Sequence, residues 1–256
     1  MGIFSQLLLA LSGSLLLSTT ANAGSSLLLT TPRGATIEII EDKPSGDGPF
    51  PAVILGSGSN YDARQPLQEQ VARQLAEAGL ATIRFNWAYH VQDRENGKPS
   101  LDRQPEIEDM QTAIAYAKQQ SWVDNQRIAV AGKSLGSIIG WRVFQADPEL
   151  KAAILLTPVC RTPPGLAQQY VNAADETRPS LWLLGNADPV CVTSDLYSYL
   201  GTKLSPARIA VVDGNHALAH EGQPADPGNL ALAAKIAAQF AVSAIRQEVN
   251  QIYTGK

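Results

Sequence analysis

The sequence predicts one α/β domain, built on a mostly parallel sheet with helices on both faces. Short apolar runs typical of strands alternate along the chain with longer runs of helical periodicity, which is the pattern of successive βα units. The 256 residues, 45% of them hydrophobic, are enough for one large core. Most connections between these runs are short, as expected in a compact domain.

The strands are predicted from apolar runs bounded by turn residues. Thr36–Ile40 alternates polar and apolar positions, which is typical of an edge strand, whereas Ala52–Leu55 is a continuous apolar run typical of a buried strand. The predicted strands are Thr36–Ile40, Ala52–Leu55, Leu80–Phe85, Arg127–Ala131, Ala152–Leu156, Leu181–Leu184 and Ala207–Val212.

The helices are predicted from apolar positions that recur every three to four residues. Leu67, Val71 and Leu75, for example, share one helical face. The predicted helices are residues 66–78, a helix that opens at Pro105, and residues 135–145, 193–200 and 230–248. Two long connections, residues 88–104 and 160–178, are expected to overhang a pocket, because long loops in compact domains are often functional.

The first 23 residues have the pattern of a secretory signal peptide. They contain no charged side chain, hold an apolar stretch from Leu7 to Leu17, and end in Ala21-Asn22-Ala23, a small-x-small cleavage site. An uncleaved anchor is the alternative, but a polar interruption at residues 12–14 makes the stretch short for a membrane span. The prediction is an exported protein, periplasmic or secreted, with residues 24–256 as its domain and no stable membrane insertion.

The segment Gly132-Lys133-Ser134-Leu135-Gly136 has the pattern Gly-x-Ser-x-Gly between a predicted strand and a predicted helix. A chain that turns so sharply brings strand and helix too close for a Cβ at the glycines, and it exposes the serine hydroxyl at the helix N-terminus. A helix-capping role would explain Ser134 but not both glycines. Ser134 is therefore predicted to be a nucleophile.

A serine hydroxyl needs a base to take its proton, and with this type of turn the acid and then the histidine follow the serine along the chain. His90 precedes Ser134 and so has the wrong order. His216 directly follows the last predicted strand and is the predicted base. His220, further along the same loop, is the alternative.

The residue that orients the base is expected after the preceding strand, since functional groups gather at the carboxyl ends of parallel strands. Asp188 lies in the loop that follows Leu181–Leu184 and is the predicted acid. Asp195 is the second candidate. An ordinary Asp-Pro turn is the alternative interpretation of Asp188.

With these motifs the chain resembles the α/β-hydrolase superfamily over most of its length after residue 23. The residues that carry the resemblance are Gly56–Ser59, Arg84–Trp87, Gly132–Gly136, Asp188 and His216. It is most similar to the dienelactone-hydrolase-like branch, including the group related to testis-expressed protein 30 and the KANSL3 subunit. The resemblance implies an α/β-hydrolase fold with a minimal cap or none, and esterase-like chemistry without a particular substrate.

An oxyanion hole is predicted from the backbone N–H groups of Leu135 and Ser57, with Gly58 as the alternative to Ser57. Such donors stabilise the negative charge that acyl transfer builds on the carbonyl oxygen. The family commonly has a His-Gly pair before this loop, and Leu55-Gly56 stands in its place here. Backbone donors do not need that histidine, but the departure supports a non-catalytic alternative.

The two cysteines, Cys160 and Cys191, follow strands that are expected to be neighbours in the sheet. An even number of cysteines in an exported protein favours a disulfide, which would tie the loop of Asp188 to residues 160–178. Two free thiols are the alternative.

Together these residues predict a serine hydrolase that cleaves an ester, thioester or related acyl bond of a small molecule, with no metal or organic cofactor. The net charge of −4 and the lack of a basic patch argue against nucleic acid as a partner. Arg64, Arg161 and Lys133 are candidates for binding an anionic substrate, although a solvated charge is the simpler interpretation of each. The alternative functions are a non-catalytic binding protein on the same fold, and an acyltransferase or peptidase with the same residues.

Overall fold

A mostly parallel eight-stranded sheet runs through the residues that the computed structural model describes, 26–162, 164–201 and 206–246. Its strands are β1 (Ser26–Thr30), β2 (Thr36–Asp42), β3 (Phe50–Gly56), β4 (Ala81–Asn86), β5 (Val123–Lys133), β6 (Ala153–Leu156), β7 (Ser180–Gly185) and β8 (Ala207–Val212). Their order is β1-β2-β4-β3-β5-β6-β7-β8. The β1–β2 and β2–β4 pairs are antiparallel and the rest are parallel, which confirms the predicted fold class.

Helices cover both faces of this sheet. They are α1 (Pro66–Glu77), α2 (Ala88–Gln92), α3 (Gln104–Gln119), α4 (Leu135–Ala146), α5 (Leu166–Gln169), α6 (Thr193–Leu200) and α7 (Pro227–Arg246). Because side chains alternate along a strand, Val53 and Leu55 of β3 pack with α1 and α7, whereas Ala52 and Ile54 pack with α3 and α4. The sheet therefore separates two apolar cores.

The helix α7 is long and apolar enough, by length and composition alone, to cross a membrane. Half of that stretch is buried in the fold, where its alanines pack against α1 and the sheet. Burial inside the domain explains its apolar composition.

The strand β2 was predicted as an edge strand, and this is wrong. It lies between β1 and β4, and β1 forms the edge. The polar position that suggested solvent exposure is Glu38, which is buried because Arg64 and Asn86 satisfy its carboxylate. The predicted signal peptide, residues 1–23, lies outside the described residues.

The parallel strands all end at one edge of the sheet. The loops that follow β3, β5, β7 and β8 therefore meet there, and they carry Ser57, Ser134, Asp188 and His216 respectively. The long connections contain short helical pieces: α2 in residues 88–104, and α5 with a 3₁₀ turn in residues 160–178.

Candidate active site

Ser134 occupies a strained turn between β5 and α4. Its φ of 52° and ψ of −113° lie in a region that residues with a side chain rarely adopt, at a typical cost of about 1–3 kcal/mol. The Ser134 N–H donates to the Leu156 carbonyl oxygen at 3.0 Å, which ties the turn to β6. A Cβ on Gly132 would lie 2.0 Å from the Gly136 carbonyl oxygen, so the turn needs glycine.

Ser134, His216 and Asp188 are joined by two hydrogen bonds. His216 Nε2 lies 3.0 Å from Ser134 Oγ, and His216 Nδ1 lies 2.9 Å from Asp188 Oδ2. The other carboxylate oxygen of Asp188 accepts the Val190 N–H at 2.8 Å. Because an ionised carboxylate only accepts, the proton of a neutral imidazole sits on Nδ1 and Nε2 is free to accept from Ser134. The arrangement suits removal of the serine proton.

The alternative histidine and the alternative acid lie outside this chain of hydrogen bonds. His220 is exposed, and its nearest carboxylate is Asp213 at 3.6 Å. Asp195 accepts a hydrogen bond from Arg161 at 2.7 Å. The structure thus brings His216 and Asp188 to Ser134, and neither alternative.

The loop after β3 packs directly against the turn that holds Ser134. A Cβ placed on Gly58 would be 3.6 Å from Ser134 Cβ, and one placed on Gly136 would be 2.4 Å from the Gly56 carbonyl oxygen. Ser57, which lies between Gly56 and Gly58, is fully buried. The first N–H groups of a helix, here including that of Leu135, have no partner within the helix. The loop of Ser57 therefore packs against the turn that holds Ser134 and Leu135, and the assignment of their N–H groups as oxyanion donors stays a prediction.

The end of β4 holds this loop at two points, a role that sequence analysis did not assign. Trp87 Nε1 donates to the Ser57 carbonyl oxygen at 3.0 Å. Arg84 Nη1 donates to the Ala63 carbonyl oxygen at 2.6 Å, and Asn86 Oδ1 accepts the Ala63 N–H at 2.7 Å. The segment Arg84–Trp87 is one of those that carry the family resemblance, and in the structure it anchors the loop after β3 through these hydrogen bonds.

An ion-pair network fixes Asn86 in turn. Asn86 Nδ2 donates to Glu38 at 2.7 Å, and the Arg64 guanidinium donates to Glu38 at 2.6 Å. The Arg64 hydrogen bond is the main cause that lowers the pKa of Glu38 to about 2, against the opposing effect of burial. Arg64 is thus engaged by Glu38 and by Asp62.

A buried chain of two hydroxyl groups is hydrogen-bonded to the backbone of Ser134. Ser137 Oγ donates to the Ser134 carbonyl oxygen at 2.5 Å and lies 2.8 Å from the Tyr170 hydroxyl. Since Ser137 has one hydroxyl proton, Tyr170 is the donor between them, and Tyr170 accepts the Val159 N–H at 2.8 Å. Burial raises the pKa of Tyr170, which keeps it a donor. No sequence pattern indicated this contact.

The predicted disulfide between Cys160 and Cys191 is present, with the two Cα atoms 4.6 Å apart. The N–H groups of Cys160 and Arg161 both donate to the Val190 carbonyl oxygen, at 3.1 and 2.9 Å. The Val190 N–H binds Asp188. The disulfide and these hydrogen bonds together fix the loop that carries Asp188.

Lys133 departs from the expectation of a solvated charge. Its side chain is buried, and Nζ donates to the His216 carbonyl oxygen at 3.3 Å. Nζ also lies 4.5 Å from the centroid of the Tyr61 ring. Burial is the main cause that lowers the pKa of Lys133 to about 8.

Comparisons with known proteins place this geometry in a family context. Residues 50–242 match a family model described as an alpha/beta hydrolase domain. A serine hydrolase without lid from Xanthomonas campestris has a similar fold, with a TM-score of 0.65 and 20% sequence identity, over 88% of this chain and 95% of that one. At this identity the likeness concerns the fold alone.

Two curated relatives match part of the chain. An uncharacterized 31.7 kDa protein in the traX-finO intergenic region of Escherichia coli is 36% identical over 106 residues, 40% of this chain and 34% of that protein. Thiohydrolase apmlB of Arthrinium phaeospermum is 29% identical over 139 residues, 51% of this chain and 43% of that protein. The matches thus span less than half the length of these relatives, and the narrower resemblance to testis-expressed protein 30 and KANSL3 stays a prediction.

Proposed function

The chain belongs to the alpha/beta-hydrolase family, and from this membership we propose that it is a serine hydrolase acting on an ester, thioester or related acyl bond of a small molecule. The observation that carries the proposal is the pair of hydrogen bonds, 3.0 and 2.9 Å long, that joins Ser134 and Asp188 through His216. The thiohydrolase among the relatives supports keeping thioesters within the substrate class.

In the proposed acylation step, Ser134 Oγ attacks the carbonyl carbon while His216 Nε2 takes its proton. His216 then returns this proton to the leaving group as the acyl bond breaks. Asp188 holds Nδ1–H in place and stabilises the imidazolium that forms. Activity is expected to fall toward acidic pH, because a protonated imidazole cannot accept the serine proton.

The negative charge on the carbonyl oxygen would be stabilised by the N–H groups of Ser57 and Leu135. One well-placed donor of this kind contributes about 3–4 kcal/mol to the transition state. In the second half-reaction, His216 takes a proton from water, the resulting hydroxide attacks the acyl-enzyme, and Ser134 leaves with its proton restored. The product is the free acid.

Export is part of the proposal. The Cys160–Cys191 disulfide is stable in an oxidising compartment such as the periplasm or the extracellular medium, and it is uncommon in a reducing cytosol. The signal-peptide pattern of residues 1–23 points in the same direction. Mass determination of the protein recovered from the periplasm or medium tests this, with Gly24 as the expected first residue.

The chemistry is tested by labelling the purified chain with a fluorophosphonate, followed by mass mapping of the modified peptide. We expect modification at Ser134, none in Ser134→Ala, and full labelling in Ser243→Ala. Ser243 is a matched control because its hydroxyl donates within α7 to Phe240, away from the site. Folded, oxidised wild-type chain that stays unlabelled would contradict the proposal and favour a non-catalytic binding protein.

The substrate class is tested by measuring kcat/KM for acyl p-nitrophenyl esters and for matched thioesters of increasing acyl chain length. Alcohols and amines added to the assay distinguish hydrolysis from acyl transfer. Products formed with the added nucleophile in preference to water would identify an acyltransferase that uses the same residues.

A further inference from the structure

Lys133 carries a charge that the proposed chemistry does not use. The residue is only 2% exposed, although lysine is rarely buried this deeply without a partner of opposite charge. Across the part of the chain that the structure describes, it forms no ion pair with a carboxylate. Its partners are instead the His216 carbonyl oxygen at 3.3 Å and the face of Tyr61 at 4.5 Å.

These partners come from three loops that the chain keeps far apart. Lys133 ends β5, His216 lies in the loop after β8, and two strands, β6 and β7, stand between β5 and β8 in the sheet. Tyr61 lies in the loop after β3, where its Cδ2 is 3.2 Å from the position of a Cβ on Gly58. The ammonium is therefore the point at which the nucleophile turn, the histidine loop and the oxyanion loop meet.

We propose that Lys133 is a positioning residue, which fixes the His216 loop against the nucleophile turn and links both to the oxyanion loop through Tyr61. This inference rests on the proposed function of the same site. The accepted hydrogen bond ends on the backbone carbonyl of His216 itself. A shift of Nζ therefore moves the residue whose imidazole must stay within 3.0 Å of Ser134 Oγ.

The protonation state of Lys133 gives the role a pH signature. Burial lowers the pKa of Lys133 to about 8, and the nearby Asp188 carboxylate opposes that shift. The other groups that face Lys133 are His216 and Tyr61, from the loops after β8 and β3. Below this pKa the cation holds the carbonyl and the ring face; above it the neutral amine loses the cation–π contact and the charge-assisted hydrogen bond.

Three variants test the proposal. Lys133→Met keeps an unbranched side chain but removes the charge and the donors, and Lys133→Arg keeps a charge that does not titrate in this range. Lys118→Met is the matched control, because Lys118 pairs with Glu149 in the loop that enters β6, at the opposite edge of the sheet. For each variant, thermal unfolding, the rate of fluorophosphonate labelling at Ser134, kcat and KM are measured from neutral to alkaline pH.

We expect Lys133→Met to lower kcat about 100-fold with little change in KM, as for a displacement of about 1 Å at a reacting group. Lys133→Arg should restore much of this loss, and Lys118→Met should match the wild type. Wild-type kcat should decline as the pH rises through about 8, and this decline should be absent in Lys133→Arg.

The outcomes separate the two proposals. Labelled wild-type chain together with an unchanged kcat in Lys133→Met would overturn the positioning role and leave the proposed function standing. An unlabelled wild-type chain would overturn both. If Lys133→Met does not fold, Lys133→Arg decides alone, because an alkaline decline identical to that of the wild type would overturn the role.

Discussion

The two glycines of α4, Gly136 and Gly140, should respond to alanine in opposite ways. A Cβ on Gly136 would lie 2.4 Å from the Gly56 carbonyl oxygen and 2.9 Å from that of Ser57. A Cβ on Gly140 would meet only Met110 Cε at 3.9 Å and the Ala131 carbonyl oxygen at 4.0 Å, which are ordinary contacts. The same substitution at two positions of one helix thus probes the close approach of α4 to the loop after β3.

The expected magnitudes follow from what each Cβ meets. At Gly136 the obstructing atoms are backbone, and neither can rotate away, so we expect a loss of about 3 kcal/mol, at the upper end for overpacked sites. The required shift separates Ser57 from Ser134 and should slow labelling about 100-fold. At Gly140, alanine gains about 0.5–1 kcal/mol of helix stability and should leave labelling unchanged.

Thermal unfolding measures the change in stability, and the rate of fluorophosphonate labelling measures the change in reactivity at Ser134. For a chain of this length, 1 kcal/mol corresponds to about 2–4 °C in Tm, so Gly136→Ala should lose roughly 6–12 °C and Gly140→Ala should gain a few degrees. A Gly136→Ala variant that keeps both its Tm and its labelling rate would show that loop and helix are not in contact at this point. The placement of Ser57 beside Ser134 would then be refuted.

Three further substitutions probe the supports of the site. Tyr170→Phe removes the partner of the buried Ser137 hydroxyl and the acceptor of the partly buried Val159 N–H, and should cost about 1–3 kcal/mol in urea unfolding. Tyr197→Phe, on the exposed face of α6, should cost little. Replacing both Cys160 and Cys191 with alanine opens a loop of 31 residues, and by the chain-entropy relation it should lower the free energy of unfolding by about 3–4 kcal/mol. An unchanged Tm would contradict this stabilising role of the disulfide. The pKa of Glu38, lowered from 4.5 to about 2, provides stability that is present above pH 4.5 and lost as the pH falls toward 2. Glu38→Gln should therefore be less stable at neutral pH and decline less steeply in acid, and parallel curves for the two proteins would contradict this.

The predictable part of the site is the part whose geometry the chain sets locally. Ser134 follows from two glycines between a strand and a helix, because only that spacing permits the close approach seen at Gly132 and Gly136. Asp188 and His216 follow from their places after successive strands, because parallel strands end at one edge. In each case a constraint within a few residues, or the order of the strands, is enough.

The remaining features depend on contacts between segments that are far apart in the chain. The spacing of polar and apolar residues along the sequence does not predict such contacts. The alternation of polar and apolar residues in β2 is typical of an edge strand, but it does not reveal that Glu38 pairs with Arg64, which lies 26 residues away. A solvated charge is the simpler interpretation of Lys133 from the sequence, because the carbonyl oxygen that accepts its hydrogen bond belongs to a residue 83 positions further on. Burial of a charge is decided by such partners, and they appear only once the loops are placed.

This difference explains how the strained backbone of Ser134 is maintained. The positive φ of Ser134 costs free energy that the turn cannot recover by itself, so the surroundings must hold it. The Ser137 hydroxyl donates a hydrogen bond to the Ser134 carbonyl oxygen, and the Leu156 carbonyl oxygen accepts one from the Ser134 N–H. Lys133, the residue that precedes Ser134, donates a hydrogen bond to the His216 carbonyl oxygen in the loop after β8. The Gly-x-Ser-x-Gly motif therefore identifies which residue is strained. The contacts that hold this residue in its strained conformation come from several distant segments, and no sequence motif marks them. For this reason we expect the most damaging substitutions outside Ser134, His216 and Asp188 to fall at these supports.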